Sequence, residues 1–177
     1  LALAAATPHL VIGHILHDLR PREEAEADAR AAGELAARLN LPFRRASVSV
    51  RGGPGNIESK ARKARYGALD ALAEEERCEF IAVGHHANDQ AETVLMGLLR
   101  GSGPRGLSGA RPTRELHHAT VVRPMLGITR SQAQAICDAA GWSWREDLTN
   151  ADPSLLRGAV RHGLLPAAER LRPGASL

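Results

Sequence analysis

Short apolar runs alternate along this chain with longer segments in which apolar residues recur every three or four positions. The apolar runs lie at His9–Leu16, Pro42–Val50 and Glu79–Gly84, and the unbroken EFIAVG is typical of a buried parallel strand. Between them, Glu23–Leu39 and Ile57–Arg77 place Ala and Leu at four-residue spacing, which predicts two amphipathic helices. This alternation predicts an α/β fold with a parallel sheet and helices on both faces.

The second half of the chain predicts shorter elements. We expect a helix from about Asn88 to Leu99, the glycine-rich loop Gly101–Gly109, a short strand near Thr120–Arg123, and helices near Ser131–Ala140 and Ser154–Arg170. No repeat or low-complexity linker interrupts this order, so we interpret residues 1–177 as one domain with a short helical C-terminal extension. The opening LALAAA lacks an initiator Met and reads as the end of a helix, so we expect the domain to be truncated at its N-terminus.

Composition narrows the class of protein. Hydrophobic residues make up 44% of the chain but aromatic residues only 3%, so the core is expected to consist of Ala, Leu, Val and Ile. No apolar run is long enough to cross a bilayer. Cys78 and Cys137 lie far apart and in no CxxC motif, which favours neither a disulfide framework nor a zinc site. A reducing cytoplasm is the expected compartment.

The distribution of charge along the chain bears on the kind of partner that the protein binds. The net charge is only +3, but basic residues cluster within 51–65, 100–114 and 157–172. Such clusters suit a polyanionic partner, although a solvated, arginine-rich surface explains them equally well. The low aromatic content argues against recognition that depends mainly on base stacking.

The richest candidate site follows the third predicted strand, in GHHANDQAET. Ligands of open α/β sheets bind beyond the carboxyl ends of the strands, where His85 and His86 stand and where Asn88 is expected to cap the next helix. Asp89 and Glu92 are three residues apart and share one helical face, as a Mg²⁺ site or a general base requires. The simpler alternative is that both carboxylates only complement the positive end of the helix dipole.

Two further segments carry candidate chemistry. A helix is expected to start after Gly55, with Glu58, Arg62 and Arg65 on successive turns of one face. An arginine held there can neutralise a phosphate or a carboxylate, although Glu58 and Arg62 also fit an ordinary surface ion pair. The loop GSGPRGLSG, which carries Arg105, is expected to be non-helical and either folds against phosphates or simply connects two elements.

Five segments of the chain occur in the order seen in the tRNA(Ile)-lysidine synthetase family of N-type ATP pyrophosphatases, the PP-loop superfamily, and together they resemble that family over nearly the whole length. They are HILHDLRP, GNIESKARKARY, GHHANDQAETVLMGLLRGSGPRGL, VVRPML and WREDLTNADPSLLRGAVRHGLLP. The third segment is the most specific. The resemblance implies an adenine-nucleotide α-hydrolase-like, Rossmann-like fold.

The resemblance also implies a reaction. The family uses ATP, with Mg²⁺, to adenylate the wobble cytidine of a minor isoleucine tRNA, and the amino group of free lysine then displaces AMP to form lysidine. The implied partners are therefore that tRNA and L-lysine, with no membrane, and a homodimer is an arrangement that the sequence leaves open.

Residue roles follow from the same resemblance. The catalytic residues it implies are His85, Asp89, Glu92, Arg65 and Arg157, and Asp89 is also the implied metal ligand. It further implies ATP-binding residues at His14, His17, Gly84 and His85, and tRNA-binding residues at Arg100, Arg105 and Arg161. These roles suit the chemistry, since a departing pyrophosphate needs cations and a lysine substrate needs carboxylates.

The chain departs from the family pattern in several places. The Ser-Gly-Gly-x-Asp-Ser phosphate loop is absent, and LALAA matches the helix immediately after it. Asp18 stands where the family usually has Gly, Asn88 replaces a commoner Asp, and Gly158 and Ala159 replace Asn and Arg in a C-terminal Arg-Asn-Arg-Ile-Arg run. The change at Asp18 bears on the adenine side of the site, and the changes at Gly158 and Ala159 bear on the role of Arg157.

Two other functions remain open from the sequence. A tRNA 2-thiolation enzyme of the same superfamily is the nearer one, although such enzymes typically carry CxxC pairs and this chain has none. The other is a non-catalytic RNA-binding module without a phosphate loop. For the enzyme, we predict that His85, Asp89, Glu92 and Arg65 converge on one cleft at the carboxyl edge of the sheet. We also predict that the first residues form a helix tail packed on that sheet.

Overall fold

The structure, a computed structural model, describes residues 9–19, 21–50, 57–144 and 156–175, and the side chain of Glu58 is not described. The predicted helix tail in residues 1–8, the predicted helix start at 55–56 and the Glu58–Arg62 ion pair therefore lie outside the described part of the chain. They stay predictions.

The described residues form five strands and a series of helices, divided between two compact units. The first unit contains residues 1–81 and 115–120, and the second contains residues 82–114 and 121–177. In chain order the elements are β1 (Ile12–His17), α1 (Arg22–Arg38), β2 (Phe43–Val48), α2 (Ile57–Glu75), β3 (Phe80–Ala82), α3 (Ala87–Leu99), α4 (Pro104–Leu107), β4 (Thr113–Glu115), β5 (Thr120–Val122), α5 (Arg130–Ala139), α6 (Leu156–Ala159), a π-helical turn (Val160–Leu164) and α7 (Leu165–Leu171).

In the first unit, β1 and β2 are parallel and carry a helix on each face. Ile12 pairs with Phe43, so Gly13, the next residue along, faces the opposite side of the sheet. A Cβ built on Gly13 would lie 3.8 Å from Leu69 of α2, whereas a Cβ on Gly33 of α1 would lie 3.5 Å from the ring of Phe43. Helix α2 thus covers one face and α1 the other. The predicted α/β fold with a parallel sheet is confirmed.

The remaining strands form a three-stranded sheet in the order β3-β5-β4. The predicted strands at Glu79–Gly84 and Thr120–Arg123 are confirmed as β3 and β5, each shorter than its apolar run. Strand β4 was not expected from the sequence, because its residues, Thr-Arg-Glu, are polar and all three are exposed. Such a strand has no apolar alternation by which it could be predicted.

A buried carboxylate, that of Asp70 on α2, holds the turn between β4 and β5. Its oxygens accept hydrogen bonds from the backbone amides of His117 (3.1 Å), His118 (3.2 Å) and Ala119 (3.0 Å). Burial by itself raises the pKa of this carboxyl, but the amide donors of His118, Ala119 and His117 outweigh it and hold the pKa below its ordinary value. The ring of His118 also pairs with Glu74 at 3.0 Å and adds to the lowering.

We expect Asp70→Asn to lower the free energy of unfolding by about 1–3 kcal/mol at neutral pH, because an amide group would replace an acceptor oxygen facing backbone N–H groups. The folded-state pKa lies below the unfolded one, so this contribution is complete above about pH 4 and is lost as the pH falls through the folded-state value. Urea unfolding at pH 7 and pH 3 measures it, with the exposed Asp138→Asn as control. An equal difference between variant and wild type at both pH values would contradict this role.

The second unit is built around α3 and the C-terminal helices. Met96 of α3, Val121 of β5, and Val160 and Leu165 near the chain end are buried. The helix predicted at Ser154–Arg170 is present from Leu156, but it is interrupted by a π-helical turn in which the amide of Leu165 donates to the carbonyl of Val160. Such turns re-aim the side chains that they carry and are frequent at functional sites.

Candidate active site

The candidate site starts at the N-terminus of α3, in the segment GHHANDQAET. The helix is capped by His86, not by Asn88 as the sequence suggested: the Nδ1 atom of His86 accepts from the amide of Asp89 at 3.3 Å. The Asp89 carboxylate in turn accepts from the amide of His86 at 3.1 Å, which completes a reciprocal capping box. Asn88 instead accepts a hydrogen bond from the amide of Arg130 at 2.8 Å. Asp89 therefore does complement the helix N-terminus, as one of the two sequence interpretations held.

Glu92, one turn further along α3, is buried against two arginines. Its side chain is 1% exposed, and Arg161 binds it at both oxygens, through Nε at 2.6 Å and Nη2 at 3.0 Å. Arg157 adds a third bond, from its Nε to Oε2 at 2.8 Å. A buried carboxylate is stable only when it is paired and hydrogen-bonded, and here both oxygens are satisfied by guanidinium groups.

Asp89 extends this cluster toward solvent. Its Oδ1 accepts from Nη2 of Arg157 at 3.1 Å and lies 3.7 Å from Nη2 of Arg161. Arg157 therefore bridges the two carboxylates and is 32% exposed, compared with 15% for Arg161. Asp89, Glu92, Arg157 and Arg161 are called the arginine–carboxylate cluster below. Its two positive and two negative charges balance.

The cluster depends on matched spacings. Asp89 and Glu92 share a face of α3 at a spacing of three residues, while Arg157 and Arg161 are four residues apart where α6 enters the π-helical turn. Hydrogen bonds to Glu92 raise the pKa of the Arg161 guanidinium, burial lowers it, and the charges of Glu92 and Asp89 raise it further. The net effect is a rise, so Arg161 stays charged inside the cluster.

A magnesium ion does not fit this arrangement. Mg²⁺ needs carboxylate oxygens that are free to coordinate it, but those of Asp89 are bound to His86 and Arg157 and those of Glu92 to the two arginines. Among the residues that the structure describes, no group of three His, Cys, Asp or Glu is placed to hold a metal ion. The arrangement is that of an ion-pair network.

The other predicted site residues fall into both units. In the second unit, Gly84 is exposed and His85 half-buried immediately before the capped helix. In the first unit, His14 and His17 lie on β1, and Arg65 lies exposed on α2 with its guanidinium 5.6 Å from the ring centre of the buried Tyr66. The predicted convergence of Arg65 with Asp89 stays a prediction.

Asp18, which stands where the family usually has Gly, is hydrogen-bonded to the segment that follows β2. Its carboxylate accepts from the Ser49 hydroxyl and from the Val50 amide, both at 2.7 Å. It therefore joins the segments that follow the carboxyl ends of β1 and β2. No local sequence pattern indicates this partner, because an entire helix separates Asp18 from Ser49.

The glycine-rich segment 101–109 packs closely on α3. It was expected to be non-helical but contains the short helix α4, which begins with Pro104 in the first position that proline favours. A Cβ on Gly97 of α3 would lie 2.9 Å from the carbonyl oxygen of Gly106. Gln90 of α3 accepts from the amide of Ala110 at 2.7 Å at the other end of the segment. These glycines allow close packing, while Arg105 and Arg100 remain exposed on the surface.

We expect Gly97→Ala to lower the free energy of unfolding by about 1–3 kcal/mol, because the new methyl group would press on backbone that cannot move aside cheaply. Gly67→Ala is the matched control: a Cβ there meets nothing within 4 Å, and alanine stabilises an exposed helix by roughly 0.5–1 kcal/mol. Chemical denaturation of both variants measures the difference. If Gly97→Ala and Gly67→Ala have equal free energies of unfolding, α4 does not pack tightly against Gly97.

Comparisons with known proteins agree with this architecture. The sequence pattern of the PP-loop domain family matches residues 2–168. A tRNA(Ile)-lysidine synthase of Solibacter usitatus is 42% identical over 89% of this chain and 34% of its own length. A protein of the same name from Salinispora tropica is 40% identical over 96% of this chain and 53% of its own length. The chain therefore spans between a third and a half of these relatives.

A solved structure is similar in fold. The U34-tRNA thiolase NcsA of Methanococcus maripaludis, determined with its [4Fe-4S] cluster, superposes with a TM-score of 0.75 over 95% of this chain and 59% of its own. At 15% sequence identity this likeness concerns the fold alone. The match over residues 2–168 covers most of the chain, and it shows that this chain belongs to the PP-loop domain family.

Proposed function

We propose that this chain is the catalytic domain of a tRNA(Ile)-lysidine synthetase. ATP adenylates the wobble cytidine of a minor isoleucine tRNA and releases pyrophosphate, and the amino group of free lysine then displaces AMP. Relatives of that name, about 40% identical over nearly the whole chain, support the proposal. The observation that carries it is the arginine–carboxylate cluster, in which the guanidinium of Arg157 lies beside the carboxylate of Asp89 in the first turn of α3.

The proposed roles follow the charges of the side chains. Arg157 and Arg65 would stabilise the negative charge of the departing phosphates, and Asp89, 16% exposed, would attract the ammonium group of lysine. His85 would be a catalytic residue in contact with the reacting groups. ATP would be bound by His14, His17, Gly84 and His85, and Mg²⁺ would accompany the ATP phosphates without ligation by Asp89.

The tRNA would bind to exposed basic residues. Arg100 and Arg105 are exposed at the end of α3 and on α4, where a phosphate backbone can reach them. Arg161 was expected to belong to this set, but its contacts with Glu92 support an internal role instead. The described helices include none that is both long and apolar enough to span a membrane. We propose action in the cytoplasm, where tRNA and lysine are both available.

Two alternatives remain to be tested. A tRNA thiolase shares the fold, but Cys78 and Cys137 lie in different units and in no CxxC motif. A non-catalytic RNA-binding module would keep the arginine–carboxylate cluster as a structural ion-pair network only. Either alternative predicts that lysine has no effect on ATP turnover.

The test is to incubate the full-length protein with ATP, radiolabelled lysine and a minor isoleucine tRNA. We expect label in the tRNA, and release of AMP and pyrophosphate over multiple turnovers that depends on both lysine and tRNA. The control is the same tRNA with uridine in place of the wobble cytidine, which should accept no lysine. ATP turnover that is independent of lysine, or sulfur transfer to the tRNA, would contradict the proposal.

A further inference from the structure

The arginine–carboxylate cluster contains two carboxylates that differ in what they can reach. Glu92 is 1% exposed and accepts three hydrogen bonds from guanidinium groups, whereas Asp89 is 16% exposed and lies at the outer edge. For a substrate ammonium group to bind Glu92, it would have to displace both arginines. Such a step would take the bidentate partner away from Arg161, which is 15% exposed, and leave Arg157 paired with Asp89 alone.

The two arginines differ in the same way. Arg161 is 15% exposed and directs its Nε and Nη2 atoms to Glu92, so its planar fork is occupied by a bidentate pair. Arg157 is 32% exposed and uses Nε toward Glu92 and Nη2 toward Asp89. Its Nη1 group takes no part in these two bonds, and the bonds made by Nε and Nη2 fix the direction in which Nη1 points.

We infer that Glu92 is a positioning residue: its carboxylate locks Arg161 in place as an internal brace and holds Arg157 so that the Nη1 side of its guanidinium faces a phosphate group of the substrate. The identity of the substrates in this inference rests on the proposed function, whereas the geometry of the cluster does not. Glu92 itself touches no substrate. The phosphate belongs either to ATP or to the tRNA backbone, and the guanidinium would bind both by the same chemistry.

Fixed geometry matters because an arginine side chain has many rotamers. Freezing it in advance removes an entropic cost that would otherwise be met in the transition state. The cluster achieves this with side chains whose spacings on α3 and on the C-terminal helices match. Removing the Glu92 charge should therefore reduce the rate at saturating substrates and leave lysine binding unaffected.

The experiment compares Glu92→Gln in the full-length protein with Glu75→Gln, an exposed change on α2 that should behave as wild type. We expect kcat for lysidine formation to fall roughly 10²-fold, with the KM for lysine changed by less than about twofold. An NMR spectrum of the arginine Nε–H groups should show slowly exchanging signals from Arg157 and Arg161 that disappear in Glu92→Gln.

Separate measurements identify the phosphate. If it belongs to ATP, pyrophosphate release before lysine addition slows by the same factor and tRNA affinity is unchanged. If it belongs to tRNA, the dissociation constant for tRNA rises and its salt dependence becomes shallower. A rise of tenfold or more in the KM for lysine, or an unchanged kcat, would overturn the inference.

If Glu92→Gln does not fold, the double variant Glu92→Gln/Arg161→Gln takes its place in the experiment. The double variant removes both members of the buried charge pair together. We expect it to fold and to remain slow, because Arg157 still lacks its anchor; wild-type kcat in this double variant would overturn the inference. If the wild-type protein forms no lysidine, the proposed function fails. The Nε–H signals and their loss in Glu92→Gln would still test whether Glu92 holds the side chains of Arg157 and Arg161 in place.

Discussion

Asp89→Asn is expected to reduce lysidine formation roughly 10²–10³-fold while leaving tRNA affinity nearly unchanged. The asparagine oxygen can still accept the hydrogen bond from the His86 amide, so the cap of α3 should survive. What is lost is the negative charge, which holds Arg157 at 3.1 Å and which we propose attracts the lysine ammonium. Removing an anion should, if anything, slightly favour a polyanionic tRNA.

The measurement is lysine incorporation and tRNA binding across a salt series, with Asp138→Asn on α5 as a control of equal charge change at an exposed position. We expect the control to retain wild-type rates. Near-normal turnover of Asp89→Asn at saturating lysine would show that Asp89 serves only as a helix cap.

Arg161→Ala is expected to destabilise the second unit by roughly 3–5 kcal/mol, because it removes two of the three hydrogen bonds to a carboxylate that is 1% exposed. Arg157 remains as a partner of Glu92, so the lower end of this range is the better expectation. The double variant Glu92→Gln/Arg161→Gln should recover most of the loss, since no buried charge then lacks a partner.

Thermal and urea unfolding measure this effect, and Arg170→Ala, an exposed change on α7, is the control. The sequence assigned Arg161 to tRNA binding, and that role makes a different prediction. If Arg161→Ala keeps wild-type stability but weakens tRNA binding with a smaller salt slope, Arg161 is a tRNA contact and the internal brace is wrong.

The sequence predicted the α/β architecture well because the relevant information is local. Period-two and period-four patterns of Ala, Leu, Val and Ile identified the strands and helices of the first unit to within a few residues. Where the pattern carried no apolar signal, as in β4, prediction failed. In the segment 101–109, glycine content suggested an open loop, but it reflects close backbone packing against Gly97.

The candidate site was only half predictable. Residue types and spacing within GHHANDQAET identified Asp89 and Glu92 as a pair on one face of a helix, and the family resemblance drew attention to Arg157 and Arg161. No local signal shows that these four side chains bind one another, because 65 residues separate Glu92 from Arg157. The cap of α3 was likewise assigned to Asn88 and not to His86, a choice that depends on backbone dihedral angles.

The sequence by itself thus determined the order of the main strands and helices, the parallel sheet and the segment in which the chemistry lies, since each depends on residues that are neighbours along the chain. Only the tertiary structure decided which charges are paired. Burial is the physical reason for this difference. A carboxylate at the surface is free to bind a metal or a substrate, whereas Glu92 is removed from water and must stay paired with its two arginines.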